Sequence, residues 1–136
     1  MHKQLQELTL KLADANFQGY SFNCLLIPGE QAVLQITVSG QEEIPIYVTV
    51  TETQILCIAY LFKENEVKPE AMTELNERCL QLNVPMPLSA YAKIDDYYAL
   101  FGSLSIHSLF DNVMLEIVTL SDNSIAALEA VEDLLK

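Results

Sequence analysis

Residues 44–62 read IPIYVTVTETQILCIAYLF, and the period of their apolar residues decides the fold. Ile44, Ile46, Val48 and Val50 alternate with Tyr47, Thr49 and Thr51, the two-residue period of a half-buried strand. Pro45 lies near the start of this run, where a strand tolerates it best. The next run, Gln54–Phe62, is apolar on both faces and reads as a central strand. Upstream, Tyr20, Phe22, Cys24 and Leu26 alternate before a Pro28-Gly29 turn. Ala32, Leu34, Ile36 and Val38 alternate next, closed by Ser39-Gly40. Four strands joined by short connections predict an antiparallel meander.

The period changes on either side of this meander. Leu5, Leu8, Leu12 and Ala15 predict an amphipathic helix over 3–16, with Asn16 and Gly19 offering left-handed positions to end it. A second helix is predicted over 69–83. Pro69 fits its first position, Met72, Leu75, Cys79 and Leu82 form its stripe, and Pro85 and Pro87 stop it. Leu88–Ile94 and Tyr97–Leu104 read as a hairpin around Asp95-Asp96. The Ser108-x-x-Asp111 spacing resembles a helix cap. Val113, Ile117 and Leu120 then mark a helical face. Ser121-Asp-Asn-Ser interrupts it, and Ile125, Leu128, Val131 and Leu135 resume it, as one kinked helix or two. The order α-β-β-β-β-α-β-β-α predicts an α+β fold in two layers, a six-stranded antiparallel sheet with helices on one face. A length of 136 residues predicts one domain over 1–136.

Charge narrows the functions. Nineteen acids against seven bases give a net charge of −12, with no cluster of lysine or arginine. Such a chain repels phosphate backbones and anionic headgroups, so neither nucleic-acid binding nor direct membrane insertion is expected. The N-terminal MHKQLQELTL lacks a basic segment followed by an apolar one, and the apolar run Ile55–Phe62 is far too short to span a bilayer. With Cys24, Cys57 and Cys79 odd in number and widely spaced, the expected setting is the cytoplasm.

The sequence offers little to catalysis. No two of the four glycines are close enough to build a phosphate loop. His2 and His107 have no cysteine near them in sequence, so zinc spacing is missing. Each cysteine falls on an apolar periodic position and reads as core rather than nucleophile. Glu42-Glu43 and Asp95-Asp96 are adjacent acids in predicted turns, and Asp122-Asn123-Ser124 lacks the ligand alternation of a calcium loop. No catalytic, cofactor-binding or metal-binding residue is therefore expected, and the chain does not read as an enzyme. The rival reading is a small-ligand sensor or unrecognised enzyme, with a pocket between sheet and helices lined by His107, a cysteine and an acid.

What stands out is surplus apolar surface. If the even-numbered residues of the meander face the core, the other face still carries Val33, Tyr47, Cys57, Ala59 and Leu61. Tyr91, Tyr98, Leu100 and Leu104 add to it from the second hairpin. Three helices in one layer leave such a face open, and open apolar faces mark interfaces. Val33, Tyr47, Cys57, Leu61, Tyr91, Tyr98, Leu100 and Leu104 are thus the candidate interface, for a protein partner or a second copy in a homodimer. The bland alternative is that long side chains or the C-terminal helix cover it.

The element order, size and acidity resemble type III secretion chaperones and YbjN-like bacterial proteins, a resemblance that implies dimeric binding without catalytic residues. A closer likeness lies in Pro87-Leu-Ser-Ala-Tyr-Ala-Lys-Ile-Asp-Asp, Tyr98-Ala-Leu-Phe-Gly-Ser-Leu-Ser and Val113-Met-Leu-Glu-Ile-Val-Thr-Leu-Ser-Asp-Asn. These stretches resemble the bacterial YjfI family, a domain of unknown function that extends over essentially the whole chain. The resemblance carries over no site residues. Members of that family tend to be encoded near a phage-shock-protein-A-like membrane-stress protein, which implies a regulatory or chaperone-like partner role.

Overall fold

A computed structural model describes residues 2–136. Helix α1 (His2–Ala13) is followed by strands β1 (Asn16–Phe17), β2 (Tyr20–Ile27), β3 (Val33–Val38), β4 (Ile46–Val50) and β5 (Gln54–Lys63). Helix α2 (Met72–Asn83) leads to β6 (Ala90–Ile94) and β7 (Tyr97–Ser105), and α3 (Phe110–Val131) ends the chain before a short 3-10 turn. The strands form one antiparallel sheet in the order β1-β2-β3-β4-β5-β7-β6.

The sheet has seven strands rather than six, so the expected element order is corrected. The extra strand, β1, is two residues long, too short for any period to reveal. Gln18 and Gly19 both have positive φ (53° and 89°), the signature of a tight hairpin turn, and Asn16 Oδ1 accepts a hydrogen bond from Gly19 N–H at 3.1 Å. Asn16 and Gly19 thus shape a hairpin, while α1 already ends at Ala13.

All three helices pack on one face. Leu5 and Leu12 of α1, Leu75 of α2, and Val113, Ile117 and Leu120 of α3 are buried, together with Leu34, Ile36, Ile46, Val48 and Leu100 from the strands. Side chains of this kind stabilise the fold by about 1.5–3 kcal/mol each on burial.

Helix α2 is preceded by a 3-10 turn, Pro69–Ala71, and so begins later than Pro69 suggested. Helix α3 is continuous through Ser121–Ser124. Both serines are buried on it. Ser124 Oγ donates to the Leu120 carbonyl at 2.6 Å, and Ser121 Oγ donates to Gln41 Oε1 at 2.5 Å. The polar interruption is therefore a contact with the β3–β4 loop, not a break. Leu109, not Ser108, precedes the first turn of α3, and no side chain caps it.

A candidate interaction face

The register of the sheet fixes which residues leave each face. Pairs Leu34↔Val48 and Ile36↔Ile46 keep even numbers together on β3 and β4. The three residues between β4 and β5 then shift the count, so that Val48 pairs with Cys57 and Val50 with Ile55. On β5 the odd residues Ile55, Cys57 and Ala59 face the helices. At the bulge between Tyr60 and Phe62 the parity changes again and Phe62 returns to the core.

This register corrects half of the expected interface. Cys57 and Leu100 are wholly buried beneath the helices, and Tyr91 and Tyr98 nearly so. The two tyrosines have their hydroxyls satisfied inside: Tyr91 donates to the Ala127 carbonyl at 2.7 Å and Tyr98 to Asn76 Oδ1 at 2.5 Å. Leu61 and Leu104 are partly buried against the core. Val33 and Tyr47 lie on the opposite face.

That opposite face carries no helix among the described residues. Its central row runs across six strands by direct pairing: Leu25, Gln35, Tyr47, Ile58, Phe101 and Ala90. A second row places Ile27 beside Val33, and Leu56 beside Ser103. At one end three tyrosines meet edge to face. Tyr47 and Tyr60 have ring centroids 5.7 Å apart, and Tyr60 and Tyr97 5.0 Å apart. With Pro45 these rings line a shallow depression of about 330 Å³. None of the three hydroxyls has a hydrogen-bond partner among the described residues. Leu25 is 58% exposed and Tyr60 37%. Leu25, Leu56, Ile58, Tyr60, Tyr97 and Phe101 are residues that strand alternation alone had not placed here.

The charge pattern of this face is unusual. None of the nineteen acids lies in any strand. The strands hold two charged residues, Lys63 and Lys93. Lys93 belongs to the helix side, with Nζ 3.3 Å from Glu64 and 5.0 Å from the Tyr98 ring centroid. Lys63 stands at one end of the open face, its Nζ 5.4 Å from the Tyr97 ring centroid. A chain of net charge −12 thus presents one broad surface without a carboxylate.

The covered side holds the reverse. Glu116 of α3 is 3% exposed, and its carboxylate rests against Gly102, opposite Cys57 across β5 and β7. The space that a Cβ at Gly102 would need is taken by Glu116 Oε1 and, at 2.9 Å, by the Leu88 carbonyl. Burial raises the Glu116 carboxyl above its ordinary value. Burial and then the Glu116 charge push the Cys57 thiol up to about 12, while burial pushes Cys24 and Cys79 up to about 11. Thiols in this state supply no thiolate at neutral pH. His107 is exposed. Among the described residues no three His, Cys, Asp or Glu gather as metal ligands. Cavities of about 200 and 230 Å³ flank the start of α3 and the α2–β6 groove, and His107 lines neither.

The family of proteins conserved in bacteria and designated DUF2170, described as uncharacterized, matches residues 2–135. The chain belongs to this family. Over 112 residues it is 25% identical to the uncharacterized protein YjfI of Escherichia coli strain K12, covering 79% of this chain and 82% of YjfI. YjfI of the O157:H7 strain matches to the same extent. The crystal structure of YbjN from E. coli, a proposed transcription regulator, superposes with a TM-score of 0.63 at 18% identity, over 100% of this chain and 96% of YbjN. This DUF2170 chain therefore shares the YbjN fold. No described helix is long and apolar enough to cross a membrane.

Proposed function

We propose that this DUF2170 protein is a non-catalytic protein-binding module, adaptor- or chaperone-like, acting as one domain in the cytoplasm and making protein contacts through the open face of the sheet. One observation carries this reading: a strand face where Leu25, Ile27, Tyr47, Ile58, Tyr60 and Phe101 are interspersed with uncharged polar residues and no carboxylate, on a chain of net charge −12. Exposed apolar side chains gathered on one surface, here Leu25, Ile27 and Tyr60, mark interaction sites. The sharing of a fold with a proposed regulator, YbjN, fits a role exercised through binding. A place beside the bacterial membrane-stress response is the setting that the family resemblance suggests. The polar residues lining the cavity at the start of α3, Gln4, Glu7, Lys11 and Ser108, include neither a cysteine nor His107, so the ligand-pocket alternative lacks the set of side chains it called for.

Photo-crosslinking tests this reading. A benzoyl-phenylalanine at Phe101, on the open face, is expected to yield discrete protein adducts in cells. The same group at Glu74, on the exposed side of α2, is expected to yield none. An Phe101 probe that forms no protein adduct at all, neither with another protein nor with a second copy, overturns the proposal.

A further inference from the structure

Resting on that reading, we infer that the occupant of the open face is a second copy of this chain, stacked sheet against sheet about a two-fold axis. Charge selects this occupant. Two chains of net charge −12 repel wherever carboxylates meet, and every acid lies in a helix, turn or loop. The strand face is the broad surface on which a copy can approach its own kind without setting acid against acid. A basic partner gains less there, because the carboxylates that would attract it lie off the strands.

Area agrees. Strands β2 to β7 have five to ten residues each. At about 3.3 Å per residue and about 4.8 Å between strands they offer a face of roughly 700 Å². Stable interfaces bury about 800 Å² per partner. A two-fold contact repeats the same patch on both sides, so the patch must complement itself. A two-fold axis along the strands at the middle of the central row sets Tyr47 against Ile58, Gln35 against Phe101 and Leu25 against Ala90, with no charge opposed to a like charge. Two such faces stack about 10 Å apart, with strand directions about 30° from parallel. The tyrosine group at one end, its hydroxyls free of partners among the described residues, fills the space between the sheets and keeps its polar tips at the rim.

Sedimentation equilibrium of the full chain tests the inference, from about 1 to about 200 µM protein and from about 50 to about 500 mM NaCl. The expected species has twice the 15.3 kDa chain mass. Added salt tightens it, because screening relieves repulsion between like-charged copies, whereas a pair held by opposite charges loosens. Ile58→Lys and Tyr60→Lys each weaken association by at least about 100-fold. Leu109→Lys, at an exposed apolar residue off the sheet, leaves it unchanged. Far-UV circular dichroism verifies that each variant is folded. A wild-type chain that stays monomeric at every concentration and salt overturns the second copy. The docking reading then stands or falls separately, on whether the Phe101 probe crosslinks a different protein. A dimer that survives both sheet variants places the contact on another surface and overturns the inference as well.

Discussion

Leu100 and Phe101 are neighbours on β7, and their side chains leave the strand in opposite directions. Leu100 is wholly buried under the helices; Phe101 lies in the central row of the open face. Both are large and apolar, so composition does not separate them. What separates them is what lies above each. The helix layer makes Leu100 part of one continuous core with Ile36, Val48 and Ile117. The residues around Phe101 form their own layer, outside that core. The same strands thus supply folding free energy on one side and, under our proposal, association free energy on the other. Substitution to alanine should split the pair sharply. In urea at protein concentrations too low for association, Leu100→Ala is expected to cost about 2–5 kcal/mol. Phe101→Ala is expected to cost less than about 1 kcal/mol, since little around it is lost in the isolated chain. Equal costs would mean that the open face is sealed by its own chain and is no docking surface.

The covered side can be probed next at its tightest point. Gly102 has no Cβ, and the helix layer uses the space, with Glu116 Oε1 and the Leu88 carbonyl both inside it. Gly102→Ala forces one or both to move and is expected to cost about 1–3 kcal/mol. Combining it with Glu116→Ala removes the side-chain obstacle but not the Leu88 carbonyl. The double variant should therefore recover part of the loss and not all of it. Additive losses would show that the helix yields freely, and that the covered side is looser than its burial implies.

These two residues also mark how far the sequence could be read. Strand alternation located β2 to β5 and the final hairpin, because period two is a local property of the chain. The faces are not local. Which side of β5 meets the helices depends on the three-residue connection Thr51–Thr53, where Thr51 N–H donates to the Gln54 carbonyl at 2.9 Å and turns the count from even to odd. Reading parity straight through that loop put Cys57 on the wrong side and hid Ile58 and Tyr60. Tyr91 and Tyr98 misled for another reason. Their partners, the Ala127 carbonyl and Asn76, come from helices distant in sequence, so nothing local marks these rings as satisfied core. The surplus of apolar strand residues was legible because composition alone reveals it. Its membership required the register.

Glu116 gives the smallest expected effect and the finest test of the contrast. The open face, though exposed, has no acid in its strands; the covered face, though buried, holds one. Glu116 is 3% exposed, and burial raises its pKa in the folded chain above the value near 4.5 that it has when exposed. A raised folded pKa means that the folded chain holds the proton more tightly than the unfolded one does. The resulting stabilisation is complete below the unfolded value and is lost as pH rises through the folded value. Glu116→Gln keeps the shape and carries no ionisable proton. The two proteins should therefore have similar denaturation midpoints in mild acid, with the glutamine variant gaining steadily over wild type as pH rises, then levelling off. The Cys57 thiol, pushed up to about 12, stays neutral throughout that range and contributes no slope. Midpoints that run parallel from pH 4 to pH 8 would mean that the carboxylate ionises without penalty. Water would then reach Gly102 from beneath the helices, and the covered face would be less dry than the open face is proposed to become on association.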